Sequence, residues 1–415
     1  MKQLVNVSSM PWLPAIDSSW DVVRAGHFLS VKKTVVGEKW PDYTLLSLTK
    51  AGVIIRDFTD RQGKLPETFD SYQEVQIGDL VMCLFDMDET PRTVGISSHR
   101  GMITGAYTTF QFDQTIAVPR YFEYLFISID DRKAFKAAYS GLRKTIRPPV
   151  FLSLRFPLPP LETQQRIADY LDRETAEIDA AVADLDRYVE LLEKRRQVMI
   201  AQSVTRGIGS NRTRVHLRAL PGSEGVMNSP TKKVPFWSLL EFINAPVESS
   251  SYGVRLEDID SWTGRLFDNE IRDRGDSQGT PFQPGDSLFG KLRPYLAKSW
   301  LATTSGVAVG DIHVYRPKRH CEPRFLSYIL RTSDFIRFAE GVSEGVKMPR
   351  SEWSKLRQYP IPLPPLETQQ RIADYLDRET AEIDSLIAES TTLRDLLLKR
   401  CSALITEVVT GRKQV

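Results

Sequence analysis

The chain has 415 residues, 41% hydrophobic and 26% charged, with 55 basic and 53 acidic side chains and a net charge of +2. That length suits two or three domains, each with enough sequence to bury a core, and the balanced charge does not by itself announce a nucleic-acid binder. No apolar run reaches the ~20 residues of a membrane span, and Cys83, Cys321 and Cys401 form neither a disulfide framework nor a CxxC zinc spacing.

The N-terminus, MKQLVNVSSMPWLP, has no apolar signal core, so a reducing cytoplasm is the expected location. Residues 1–156 read as a mixed α/β unit. Strand-like runs are Thr44–Ser47, Val53–Ile55 and Asp79–Leu84; a helical run falls at about 131–139, bounded by Gly141.

Positions 157–179 then read PLPPLETQQRIADYLDRETAEID. Pro157, Pro159 and Pro160 set an extended approach, and Pro160 is acceptable as a first helical residue. Glu162 sits in the first turn, where the helix dipole favours a negative charge. No Gly or Pro follows until Gly207. Ala168, Leu171, Ile178, Val182, Leu185, Val189, Leu192 and Met199 recur at 3–4 spacing, interrupted by Thr175 and Arg196. The pattern predicts one helix of about 45 residues, ~65 Å long at 1.5 Å per residue.

Residues 206–233 are rich in Gly, Ser, Asn and Arg and read as a linker, whose basic groups either touch phosphate or form a solvated loop. A second mixed unit follows at 234–360, with a strand-like run at Asp311–Tyr315 and a helical run at 325–339 bounded by Gly341. It echoes the first loosely: Gly78-Asp79 answers Gly285-Asp286, and Tyr124-Leu125 answers Tyr328-Ile329. The 23-residue block then returns letter for letter at 362–384. Its stripe starts with Ala373, Leu376, Ile383 and Ile387, then drifts, with Ser390 and Arg394 on it and Leu386, Leu393 and Leu397 beside it.

The two helical segments are the acidic parts of the chain: 157–205 carries 6 basic and 10 acidic groups, and 361–415 carries 7 and 9. Residues 206–235 carry 6 and 1. A phosphate backbone would avoid the helices. A lone long helix with one apolar stripe needs a partner. Each helix either packs on its own domain or packs on its twin; length and duplication favour the twin, in antiparallel sense because a globular unit separates them.

Catalytic and cofactor motifs are missing where they would show. GDSLFGKL at 285–292 begins like a phosphate-binding loop, but Leu292 replaces the hydroxyl that Mg²⁺ needs and Pro294 stops the helix that should follow. No GxGxxG occurs. His27, His99, His216, His313 and His320 have no ligand spacing, and His313, in DIHVY, reads as structural.

The layout resembles the specificity subunit of Type I restriction-modification systems. The residues that carry the likeness are Pro157 to Leu171 and Pro362 to Leu376, with LLSLTKAGVIIRD (45–57), GDLVMCLF (78–85), GMITGAY (101–107) and GDSLFGKLRPYLAK (285–298). The resemblance implies a mixed α/β fold with two globular target-recognition domains, 1–156 and 234–360. They would be separated by two long helices, 157–206 and 361–415, forming an antiparallel coiled coil with pseudo-two-fold symmetry, joined through a linker at 207–233. It implies a non-catalytic reader of double-stranded DNA with a bipartite, asymmetric target. Two methyltransferase subunits and motor-nuclease subunits would be its partners, and S-adenosylmethionine, ATP and Mg²⁺ would belong to them. A coiled-coil adaptor without DNA binding and a fused DNA-modifying enzyme are the competing readings.

Phosphate and base contacts need Arg, Lys and polar groups on loops. In the second domain Lys291, Arg293, Tyr295, Lys298, Lys347 and Arg350 are the candidates, with Tyr295 alternatively a core aromatic. In the first they are Arg92, His99, Arg100, Arg143 and Lys144. Partner docking falls to the duplicated Gln164/Gln369 and Arg166/Arg371, whose other reading is packing of the helix start against its own domain.

Overall fold

The computed structural model describes residues 4–6, 10–57, 68–139, 144–207, 233–244, 248–267 and 273–415, the side chains of 273–276 apart. It divides into two compact units, Met1–Leu185 with Thr392–Val415, and Asp186–Thr391. The division cuts the long helices and leaves each globular domain joined to helical ends. The linker assigned to 207–233 lies almost wholly outside the described residues.

In unit 1 a four-stranded antiparallel sheet runs in the order Leu29–Lys32, Thr108–Phe112, Leu80–Met82, Val94–Ile96. In unit 2 the order is Leu240–Phe242, Ile312–Pro317, Ser287–Gly290, Ser299–Leu301. Both sheets therefore place the first strand beside the fourth and the fourth beside the second. The Gly-Asp echo explains part of this likeness. Gly78 and Gly285 take φ of +88° and +89° in the turn before the second strand, a conformation costly for any residue with a Cβ. Asp79, 4% exposed, accepts from Gln76 N at 2.7 Å and from Lys32 Nζ at 2.9 Å. Asp286, 1% exposed, accepts from Gln283 N at 2.9 Å and takes both prongs of Arg316 at 2.9 and 2.7 Å. A buried carboxylate is tolerable only when paired in this way.

Each domain closes in the same manner. Arg155–Leu158 pairs antiparallel with Asp21–Arg24, and Pro360–Pro362 pairs antiparallel with Lys233–Pro235. The strand leads directly into a long helix in both cases.

Helix α1 (Pro119–Asp131) lies on the sheet of unit 1. The helix expected at about 131–139 is displaced from it: the helix ends at Asp131, Lys133 turns to φ +51°, and only a 3-10 stretch, Ala134–Ala138, follows. The periodicity hid α1 because it is buried on most sides, Tyr121, Phe122, Tyr124, Leu125, Phe126 and Ile129 all being covered. In unit 2 the run at 325–339 is two helices rather than one. The first spans Pro323–Ile329 and the second Ser333–Gly341, with Thr332 between them capping Phe335 N.

The long helices are α2 (Leu161–Arg206), 46 residues, and α5 (Leu366–Val409), 44 residues; the shorter α3 and α4 are Pro323–Ile329 and Ser333–Gly341. In unit 1 the start of α2 (Ile167, Leu171) and the end of α5 (Leu404, Ile405, Val408, Val409) enter one core with Phe28, Phe110, Phe122, Phe126, Phe151 and Phe156. In unit 2 the end of α2 (Ile200, Val204) and the start of α5 (Ile372, Leu376) enter one core with Phe236, Phe289, Tyr315, Phe325 and Phe335. Start against end in both units makes the pairing antiparallel, as the twin stripes predict. Burial follows the stripe closely: Ala168, Leu171, Leu192 and Arg196 are buried, and Ile178, Val182, Leu185, Val189 and Met199 are half-buried. Arg196, an interruption in the apolar pattern, is accommodated by an ion pair with Asp384. Leu393, Leu396 and Leu398 remain about half exposed, in keeping with the drift of the second stripe.

Candidate nucleic-acid interface

The duplicated block builds a joint, and it is built alike in both units. Gln164 is fully buried; its Oε1 accepts from Val118 N at 2.8 Å, and its Nε2 donates to Ile116 O at 3.0 Å and Pro159 O at 2.8 Å. Gln369, also fully buried, accepts from Glu322 N at 2.9 Å and donates to His320 O at 3.0 Å and Pro364 O at 2.9 Å. Farther along each helix, Tyr124 Oη donates to Asp172 at 2.7 Å and lies 3.0 Å from Thr175 Oγ1. Tyr328 Oη donates to Asp377 at 2.7 Å and lies 3.2 Å from Thr380 Oγ1.

An arginine completes each joint. Arg120 reaches Glu123 and Asp172 at 2.5 and 2.6 Å; Arg324 reaches Glu322, Asp374 and Asp377 at 3.0, 2.8 and 2.7 Å. Partial burial alone would weaken either guanidinium's hold on its proton, yet the surrounding carboxylates raise both above the ordinary arginine value. Burial pushes the Tyr328 phenol up to about 12, so it stays a donor at neutral pH.

This geometry corrects the assignment of Gln164 and Gln369 to a docking surface. Their amides are spent inside their own units, because a buried amide must be satisfied locally. Arg166 and Arg371 do lie exposed near the helix starts. The tyrosine–aspartate contact was missed in the sequence, although its signal was there: the Tyr124/Tyr328 echo and the repeated Asp172/Asp377 belong to one pattern.

In unit 2 the structure gathers most of the proposed DNA-contacting side chains. The chain leaving Ser287–Gly290 runs beside the segment 344–351. Lys291 O accepts from Ser351 N at 2.9 Å, Arg293 N donates to Pro349 O at 2.8 Å, and Glu344 and Arg350 exchange backbone bonds at 3.0 and 2.9 Å. Lys291 and Arg350 share Asp311, at 3.7 and 3.0 Å. Arg293 and Lys347 are exposed, and Tyr295, 40% exposed, is not a core aromatic. Between these cations Val346 is fully exposed and Met348 is 54% exposed, two apolar side chains that charge-based reasoning passed over. Lys298 differs from the group: its Nζ donates to Leu256 O at 2.9 Å and sits over the Phe267 ring.

The unit 1 candidates form no such group among the described residues. Arg92 is 3.7 Å from Asp131, with a buried Nη1 that has no hydrogen-bond partner. His99 belongs to a turn closed by Ser97 Oγ, and Arg100 is exposed. Lys144 is held by Asp88 and Glu89 at 3.1 and 2.9 Å. Arg143 lies outside the described residues.

The phosphate-loop look-alike is a turn and a strand: Gly285 turns the chain, and Ser287–Gly290 is paired on both sides. Buried His313 lies 3.0 Å from Ser351 O, and burial lowers its pKa to about 4, so it is a neutral structural imidazole. Among the described residues no group of three or more His, Cys, Asp and Glu could hold a metal ion, and no helix is long and apolar enough to cross a membrane.

Residues 104–183 and 290–391 match the model of the Type I restriction modification DNA specificity domain. Each matched segment runs from a globular domain through the joint into a long helix. The chain is 23% identical over 248 residues to the type I restriction enzyme EcoDI specificity subunit of Escherichia coli, covering 55% of each. It is 23% identical over 325 residues to the MjaX specificity subunit of Methanocaldococcus jannaschii, covering 72% of this chain and 68% of that one. The match thus spans about half the length of the first of these relatives. Among solved structures, a chain of a type I R-M system superposes with a TM-score of 0.68 at 14% identity, covering 96% of this chain and 98% of that one. The HsdS subunit from Thermoanaerobacter tengcongensis superposes with a TM-score of 0.52 at 14% identity, covering 95% and 98%. Those two likenesses bear on the fold; the domain match, made twice along the chain and each time spanning one copy of the joint, makes the chain similar to the Type I restriction-modification DNA specificity family.

Proposed function

We propose that the chain is the non-catalytic DNA-reading subunit of a Type I restriction-modification complex. Each globular domain reads one half of a bipartite, asymmetric DNA target. The observation that carries this is the contrast within the chain: the same strand order and the same joint are built twice, while the exposed loops differ. Identical scaffolding suits identical partners at the two ends, and different loops suit different half-sites. Two-fold presentation of readers to DNA half-sites is a general device.

In unit 2 the reading surface is Arg293, Lys347, Arg350 and Lys291, with Tyr295, Val346 and Met348 among them. The cations face phosphate and base edges. Val346 and Met348 supply apolar contact to a base step, which minor-groove readers use to wedge and bend DNA. In unit 1 Arg100 and His99 are the stronger candidates, while Arg92 and Lys144 are held by carboxylates. Arg166 and Arg371 mark the face for two methyltransferase subunits, with motor-nuclease subunits added to that assembly in the cytoplasm. S-adenosylmethionine, ATP and Mg²⁺ act in those partners.

The test is co-expression with candidate methyltransferase subunits followed by sequencing of methylated adenines. A split, non-palindromic motif with unspecified base pairs between its halves is expected. A continuous or palindromic motif overturns the reading.

A further inference from the structure

The duplicated block provides an internal control. Its copies are identical through Asp179 and Asp384, so a difference in what surrounds those positions is not required by the joint itself. Asp179 is exposed. Asp384 instead binds two arginines, Arg196, 7% exposed, and Arg265. At the place in α5 that corresponds to Arg196, the other copy has Cys401. Unit 2 has therefore added cations to a shared frame, and Arg196 Nε is buried without a hydrogen-bond partner.

A third arginine is deeper in charge deficit. Arg331 is 8% exposed. It donates from Nε to Ser327 O at 3.2 Å and from Nη1 to Thr263 O at 2.5 Å, and its guanidinium lies 4.5 Å from the centroid of the Tyr328 ring. A Cβ added at Gly264, where φ is +80°, would collide with that guanidinium. The group is thus held in a slot between a ring and a glycine, by neutral acceptors. Arg324 and Arg265 have carboxylates of their own; Arg331 has none at ion-pair distance among the described residues. A buried cation without an anion costs several kcal/mol on an order-of-magnitude scale.

Arg265, Arg324 and Arg331 line a cavity of about 910 Å³ within unit 2. Tyr252 and Trp300 also border it, and Thr303, Thr304 and Ser305 are exposed at its edge. Asp377 and Asp384 stand on its wall too, each already paired with arginine. The cavity's volume is in the range of small-ligand sites, and hydroxyls with a fixed guanidinium suit a tetrahedral oxyanion. We propose that this cavity binds a small phosphate-bearing anion of up to nucleotide size, with Arg331 as its charge anchor. The aromatic walls suit a base or sugar. A DNA duplex is the wrong shape for a guanidinium so enclosed, and none of the reading-surface residues lines the cavity. The site therefore stands apart from the DNA reading and does not depend on it.

The test is isothermal titration of the full chain, at constant ionic strength, with inorganic phosphate and with AMP. It is repeated on Arg331→Met and Thr304→Glu. Saturable binding of at least one probe is expected, with a loss of about tenfold or more in each variant, the scale of one charged hydrogen bond. AMP binding tighter than phosphate marks a nucleotide site; equal binding marks a phosphate site. Should Arg331→Met fail to fold, Thr304→Glu decides, since it changes an exposed residue and puts a competing carboxylate at the cavity edge. No saturable heat from either probe up to about 10 mM, well above ordinary small-ligand dissociation constants, overturns the proposal. So does binding that survives Thr304→Glu, or binding displaced by a short DNA duplex.

Discussion

The phenol of Tyr328, on α3, donates to the carboxylate of Asp377, on α5, at 2.7 Å. It ties a globular domain to the helix that follows it, and the bond between Tyr124 and Asp172 repeats it at the same length. Tyr328→Phe and Tyr124→Phe are each expected to cost about 1–2 kcal/mol, since each removes a hydrogen bond to a charged acceptor. Urea unfolding of the two variants measures this. Near-equal losses are the mark of a joint built twice; a loss in one alone contradicts the equivalence.

Gln164→Ala and Gln369→Ala should do more damage. Each strips partners from one backbone N–H and two carbonyls. An unsatisfied buried group costs about 1–3 kcal/mol, so a loss of about 3 kcal/mol or more is expected, read as a fall in the urea midpoint. Glutamate at either position should be as harmful, because it cannot donate to the two carbonyls.

On DNA, Arg293→Ala and Lys347→Ala should each weaken binding and lower the salt slope by about one for every phosphate left without its cation. Lys144→Ala and Lys298→Ala should change the slope little, as their amines already have partners within the chain. Val346→Ser and Met348→Ser should leave the slope intact and alter base preference instead. Filter binding over a salt series, with matched and altered half-sites, separates the three groups.

His313 gives unit 2 a dependence on acid. Burial lowers its pKa to about 4 in the folded chain, against about 6.5 when unfolded. The unfolded chain then binds the extra proton first. The neutral ring's contribution to stability is complete above about pH 6.5 and is lost as pH falls through the window down to about 4. The loss is on the order of 3 kcal/mol. His313→Gln should flatten that part of the stability profile. Parallel profiles for the two proteins would contradict the assignment.

The elements with a period were readable in the sequence. Prolines 157, 159 and 160, a run without breakers and a stripe at 3–4 spacing give α2 almost to the residue. Helix α1 was misplaced: YFEYLFISI is buried on nearly every side, and the helical run was set at about 131–139, beyond the end of the helix at Asp131. The joint was half legible. Duplication marked Gln164 as important, but only packing reveals that it points inward at Ile116 and Pro159. The cations of unit 2 were chosen by charge alone, which cannot tell Arg293, exposed, from Lys298, bent onto a carbonyl. Val346 and Met348 escaped because an apolar residue is normally assigned to a core.

The core of unit 1 contains Leu404, Ile405, Val408 and Val409 beside residues of the first domain. Tyr121 Oη donates to Val409 O, and Asp17 N donates to Thr410 O. During synthesis the first domain therefore emerges with part of its interior still to be translated, after the whole of unit 2 has left the ribosome. The second domain can assemble as it appears; the first must wait, with apolar surface uncovered, for the closing turns of α5. The order of completion is the reverse of the order of synthesis, and an interrupted translation product would lose the earlier domain before the later one.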